Sequence, residues 1–103
     1  MFKVLKIPNS DGSGVIASVG PGVDQERVGQ RVWIWNGQWQ RPNGTATEYI
    51  SLPSEQAVLM PENMSFETGA CLGIPGLTAA YCTLGDGLLK DKTVFISGGA
   101  GAV

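Results

Sequence analysis

The chain has 103 residues, of which 43% are hydrophobic and 16% charged, with a net charge of −2. That length bounds it to one domain at most, the apolar content excludes a disordered segment, and the lack of a basic patch argues against a nucleic-acid partner. No apolar run approaches bilayer-spanning length, no signal-peptide pattern opens the chain, and there is no histidine, which removes the commonest zinc ligand and the commonest general base together.

The first two-thirds read as strands and turns. Val15–Val19 is a β-prone run framed by Gly12 and Gly14 before it and by Gly20-Pro21-Gly22 after it. Val28–Trp35 is a second, rich in β-branched and aromatic residues and closed by the turn pair Asn36-Gly37. Gly44–Ile50 alternates small or apolar with polar residues, as a half-buried strand does. Regular strands with glycine turns imply a small barrel or sandwich. After Pro61 the character changes. Ser65 can cap a helix whose first turn carries Glu67. Gly73 and Pro75 interrupt that helix, and a second stretch runs from Gly76 to Leu84, ended by Gly85 and Gly87. Thr93–Ser97 is a short unalternating β run, of the kind buried on both faces of a parallel sheet.

Cys71 and Cys82 sit in apolar surroundings without a basic neighbour, and are expected to be buried structural thiols of a cytoplasmic protein. Trp33 and Trp35 share a strand face, so packing is the plainer reading than a substrate pocket formed with Trp39. The chain closes on Gly98-Gly99-Ala100-Gly101-Ala102-Val103. Gly99-x-Gly101 opens the G-x-G-x-x-G fingerprint, in which glycines let a dinucleotide's pyrophosphate approach backbone N–H groups. Two other readings stay open on the loop alone: the start of a P-loop, and a glycine turn with no ligand.

Six segments together resemble one family. Ile7–Ile16 resembles the P-G-x-D-x-x-G-x-V stretch of zinc-free quinone oxidoreductases, the zeta-crystallin-like branch of the medium-chain dehydrogenase/reductase superfamily. Val19–Val23 with Val28–Val32 resembles V-G-x-G-V…V-G-D-R-V, and Gly44–Tyr49 resembles G-x-x-A-E-Y. Pro61–Ala70 resembles P-x-x-x-S-F-E-x-A-A, Gly76–Ala79 is G-L-T-A, and Val94–Val103 resembles V-L-V-x-G-A-x-G-x-V. Asn9 stands where the family has glycine, and Gln30 where it has aspartate. Zinc-dependent members carry a His-Glu pair where Ser10-Asp11 stands, and a four-cysteine lobe where Asn36–Pro42 stands.

The resemblance implies a mostly β fold: a partial GroES-like barrel over 1–64, connecting helices over 65–91, and the start of a Rossmann α/β domain over 92–103. It implies a piece of a longer oxidoreductase, because family members extend before Ile7 and beyond Val103. The whole protein is expected to reduce a small-molecule quinone or α,β-unsaturated carbonyl with NADPH or NADH, without zinc, as a homo-oligomer with no nucleic-acid or membrane partner. Cofactor contacts are expected at Thr78, Gly99, Ala100, Gly101, Ala102 and Val103. No catalytic residue is assigned. Asp11, at the position of the zinc-site glutamate, either faces the cleft or organises the glycine turn beside it, and the turn is the preferred reading. An inactive β-rich module and a P-loop nucleotide-binding protein are the two rival functions.

Overall fold

The computed structural model describes residues 5–103. A three-stranded antiparallel sheet is built from β1 (Gly12–Val15), β2 (Arg31–Ile34) and β3 (Ala57–Leu59), in the order β1-β2-β3. Two helices follow, α1 (Phe66–Gly69) and α2 (Leu77–Leu84). The architecture is mostly β, as the sequence implies.

β2 is the centre because its residues fit both neighbours. Ser13 and Val58 flank Trp33, while Gly12 and Ala57 flank Ile34. The alternation of the strand is clean: Val32 and Ile34 are buried, and Arg31 and Trp33 are half-buried on the opposite face. β1 is poor in intrinsic strand formers, being Gly-Ser-Gly-Val, and its pairing carries it. Pairing runs one residue past the strand, through Ile16 N–H to Gln30 O (3.0 Å) and Gly29 N–H to Ile16 O (2.8 Å). Gly29 has φ +87, which allows the chain to enter β2. The first expected strand is therefore shifted: it begins at Gly12, and Ala17–Val19 lie beyond the ladder.

Gly44–Ile50 does not form a strand. Three successive amides, of Gly44, Thr45 and Ala46, donate to the carbonyls of Ile7, Asn9 and Pro8 at 2.7, 2.8 and 3.1 Å. A strand sends alternate amides to opposite sides, so this lacing of one short segment onto another replaces a ladder. Among the described residues only the parallel bridge Ile7–Asn43 remains of β pairing there. Gly44 is required by the approach itself, since a Cβ would strike Asn9 O and lie 2.5 Å from Pro8 O. Asn9 has φ +76, a left-handed conformation that asparagine accepts more readily than most residues. This accounts for asparagine standing where the family pattern has glycine.

Two arginines lock the sheet to its loops. Arg27 donates from Nε to Gln30 Oε1 (3.1 Å), from Nη1 to Ser54 O (2.9 Å) and the Ser54 hydroxyl, and from Nη2 to Ala57 O (2.5 Å). Arg31 donates to Glu62 O (2.8 Å) and Met64 O (2.5 Å), with its guanidinium carbon 4.5 Å from the centroid of the Phe66 ring. Both satisfy main-chain carbonyls at the ends of β3 rather than carboxylates. Gln56, buried, donates to Trp35 O (2.8 Å) and Asn36 O (3.0 Å) and accepts from Arg41 Nη2 (2.8 Å).

The hydrophobic core is small: among the described residues Val32, Ile34 and Met60 are its buried members. The radius of gyration is 16.3 Å, against about 13 Å for a compact chain of this length. The difference lies in an open trough beside the sheet and in the residues after Gly85. Thr93–Ser97 carries no ladder, contrary to the strand expected there. A strand of a parallel sheet needs a neighbouring strand to pair with, and the described residues supply none.

Candidate functional site

The helices break where the sequence says they should. Ser65 Oγ accepts from Thr68 N–H at 3.1 Å and starts α1. The chain then passes through a five-residue wide turn, Leu72–Gly76, before α2. Gly73 leaves helical geometry there, with φ −58 and ψ −118, and Pro75 has no N–H to give. Gly76 N–H reaches back to Cys71 O at 3.1 Å, and Ile74 N–H donates to Asp11 Oδ1 at 2.6 Å. Asp11 thus reaches neither an open cleft nor its own glycine turn. Its carboxylate joins the sheet to the helix break, and its main-chain carbonyl accepts the Thr45 hydroxyl.

Thr78 lies in the first turn of α2 and is exposed. Gly99, Ala100, Gly101, Ala102 and Val103 are exposed as well. Gly98 takes φ +69, and Gly101 N–H donates to Gly98 O at 2.8 Å, which curls the loop into a tight turn. Gly98 is thus the glycine whose conformation makes the turn, one position before the pair that the fingerprint marks. The doubled Gly98-Gly99 was the available signal. The other two loop glycines differ: a Cβ on Gly99 would meet only Ile96 Cγ2, at 3.9 Å, whereas one on Gly101 would crowd Gly98 O at 3.2 Å. No hydrogen bond among the described residues joins Thr78 to this loop.

The trough has a volume of about 800 Å³ and lies over β1 and the 45–54 segment, with Val32 and Ile34 at its base and Arg27, Glu48 and Tyr49 on its walls. The tryptophans are not among its lining residues. Trp33 packs within the sheet, and Trp35 Nε1 donates to Glu55 O at 3.0 Å. Trp39 is exposed. Both cysteines are exposed, against the expectation of burial. Cys71 lies in the turn just after α1, with its Sγ donating to Glu67 O at 3.3 Å, and Cys82 lies in α2, none of whose residues is buried. Among the described residues no group of three histidine, cysteine, aspartate or glutamate side chains could hold a metal, and no helix is long and apolar enough to cross a membrane.

Comparison with known proteins agrees with the architecture. The alcohol dehydrogenase GroES-like domain matches residues 2–90. The synaptic vesicle membrane protein VAT-1 homolog of Rattus norvegicus is 38% identical over 100 residues, covering 93% of this chain and 23% of that protein. Quinone oxidoreductase of Rattus norvegicus is 31% identical over 97 residues, covering 93% and 28%. The highly reducing polyketide synthase lcsB of Purpureocillium lilacinum is 33% identical over 94 residues, covering 90% and 4%. The chain thus spans about a quarter of the length of the first two relatives. No solved structure gives a significant match. A domain match over most of the chain, on a sheet with the expected glycine turns and helix break, places this chain in the alcohol dehydrogenase GroES-like family of the medium-chain dehydrogenase/reductase superfamily.

Proposed function

We propose that this chain is part of an oxidoreductase of the zinc-free, zeta-crystallin-like branch, which reduces a quinone or an α,β-unsaturated carbonyl with NADPH or NADH. The observation that carries the reading is the 31% identity to quinone oxidoreductase across nearly the whole chain, joined to a donor set without histidine.

The residues fit a dinucleotide. Gly98 makes the turn, Gly99 leaves room for close approach, Gly101 lets the turn close tightly on Gly98 O, and the amides of Gly99 and Ala100 make no backbone hydrogen bond among the described residues. These groups would cradle the pyrophosphate, with Ala102 and Val103 continuing the loop and Thr78 contacting the cofactor from the first turn of α2. Bound there, the reduced nicotinamide supplies the hydride. The chain's own part is to orient it and to keep water out of the cleft.

A second reading, an inactive β-rich scaffold, is favoured by one observation: Thr78 and the 98–103 loop are exposed and unconnected. Isothermal titration of the intact protein with NADPH and then NADH separates the two. The oxidoreductase reading expects saturable binding of one of them, with cofactor oxidation when a quinone is added and no loss on chelation. No binding of either overturns it and leaves the scaffold, and activity lost to a chelator and restored by zinc removes it from the zinc-free branch.

A further inference from the structure

Asp11 makes a contact that its place in the chain does not suggest. It stands at the head of β1, and its Oδ1 accepts the amide of Ile74, 63 residues away, at 2.6 Å. That amide belongs to the segment where the helix is interrupted, so it has lost the regular helical arrangement that would supply a carbonyl. A charged acceptor in its place makes a hydrogen bond stronger than a neutral one. The neighbouring position is shaped around the same carboxylate. A Cβ on Gly73 would collide with Asp11 Oδ1 and come within 2.8 Å of Ile34 O. Gly73 is buried, so its backbone is pressed between the aspartate and the last carbonyl of β2. The main-chain carbonyl of Asp11 is itself held by the Thr45 hydroxyl, which ties this residue to the laced 44–46 segment as well.

We infer that Asp11 is a positioning residue. Its carboxylate stands in for the missing acceptor at Ile74, holds the break between α1 and α2 against the sheet, and so sets where α2 begins. Thr78 is four residues beyond Ile74, in the first turn of α2. The consequence for cofactor affinity rests on the function proposed above; the latch itself does not.

Amide hydrogen exchange at Ile74, with NADPH titration of the same intact protein, tests this. In the wild type the Ile74 amide is protected. Asp11→Ala speeds its exchange on the order of tenfold or more relative to amides of β2, and Asp11→Asn, which keeps an acceptor oxygen at Oδ1, restores most of the protection. NADPH affinity falls severalfold in Asp11→Ala and recovers in Asp11→Asn, with turnover at saturating cofactor little changed. Ile74 exchange in Asp11→Ala matching the wild type overturns the latch. So does an Asp11→Asn protein as unprotected as Asp11→Ala, and this variant decides the matter if Asp11→Ala does not fold. Changed exchange with unchanged NADPH affinity upholds the latch and overturns its link to Thr78. A wild type that binds no nicotinamide cofactor overturns that link together with the proposed function, while Ile74 exchange still judges the latch.

Discussion

Residues 25–60 and residues 85–103 are held in different ways. In the first region side chains fasten distant stretches of chain by directional bonds to main-chain carbonyls. Arg27 grips Ser54 and Ala57, and Gln56 grips Trp35 and Asn36. In the second the bonds are local turns, such as Lys92 N–H to Leu89 O and Gly101 N–H to Gly98 O. The apolar run Val94-Phe95-Ile96 lies in the second region, yet Phe95 is 92% exposed, whereas the polar Gln56 in the first is 5% exposed. Apolar character alone does not bury a residue. It needs a partner surface, and here the partner surfaces were built around polar anchors.

That contrast can be broken most forcefully at Gly44. Replacing it by alanine drives a methyl group into the carbonyls of Pro8 and Asn9, and should cost about 3 kcal/mol, read as a lower midpoint in urea unfolding. A midpoint within error of the wild type would show that the 7–10 and 44–46 segments are not laced. Next in size is Arg27→Ala, expected to cost about 2 kcal/mol, because two carbonyls and a hydroxyl lose their donor. Arg27→Lys should recover little of this, since an ammonium cannot span Ser54 and Ala57 as a planar fork does. Full recovery would mean that charge, not geometry, holds the loop. Ser65→Ala removes the cap of α1 and should cost about 1 kcal/mol in the same measurement. Smallest for stability is Phe95→Ser, expected within about 0.5 kcal/mol of wild type, as befits an exposed side chain. Its effect should appear instead in sedimentation, where the wild-type chain self-associates through its exposed apolar run and the variant does so less. A monomeric wild type would end that expectation.

Much of this fold is written in local chemistry. Ser65 caps and Gly73 and Pro75 break, each at the position where the residue type demands it, and after α2 it is Gly87, at φ +111, rather than the helical Gly85 that turns the chain away. β2 is legible because its β-branched and aromatic residues alternate correctly, although Gly29 delays its start. β3 is not legible: Ala57-Val58-Leu59 is three residues with a single β-branched side chain, too short for an alternating pattern, and it becomes a strand because Arg27 and β2 draw it into register. Gly44–Ile50 misled in the opposite sense, since an alternating pattern was overridden by amides committed to Ile7, Pro8 and Asn9. At the candidate site, the positions of Thr78 and Gly99–Val103 in helix and loop were readable from motif spacing. The bond from Asp11 to Ile74 was not, because no local pattern encodes a contact between residues so far apart.

The two arginines that fasten the sheet also bear on how the chain folds. The contacts of Arg27 with Ser54 and Ala57 span 27 and 30 residues, and those of Arg31 with Glu62 and Met64 span 31 and 33. The β1–β2 pairing closes a much shorter loop, between Val15 and Arg31. Hairpin closure should therefore lead, with the guanidinium contacts sealing the structure after the rate-limiting barrier. In stopped-flow experiments Arg31→Ala would then accelerate unfolding while leaving the refolding rate nearly unchanged. The arginines would act as late fasteners that govern how long the native sheet persists rather than how quickly it is found.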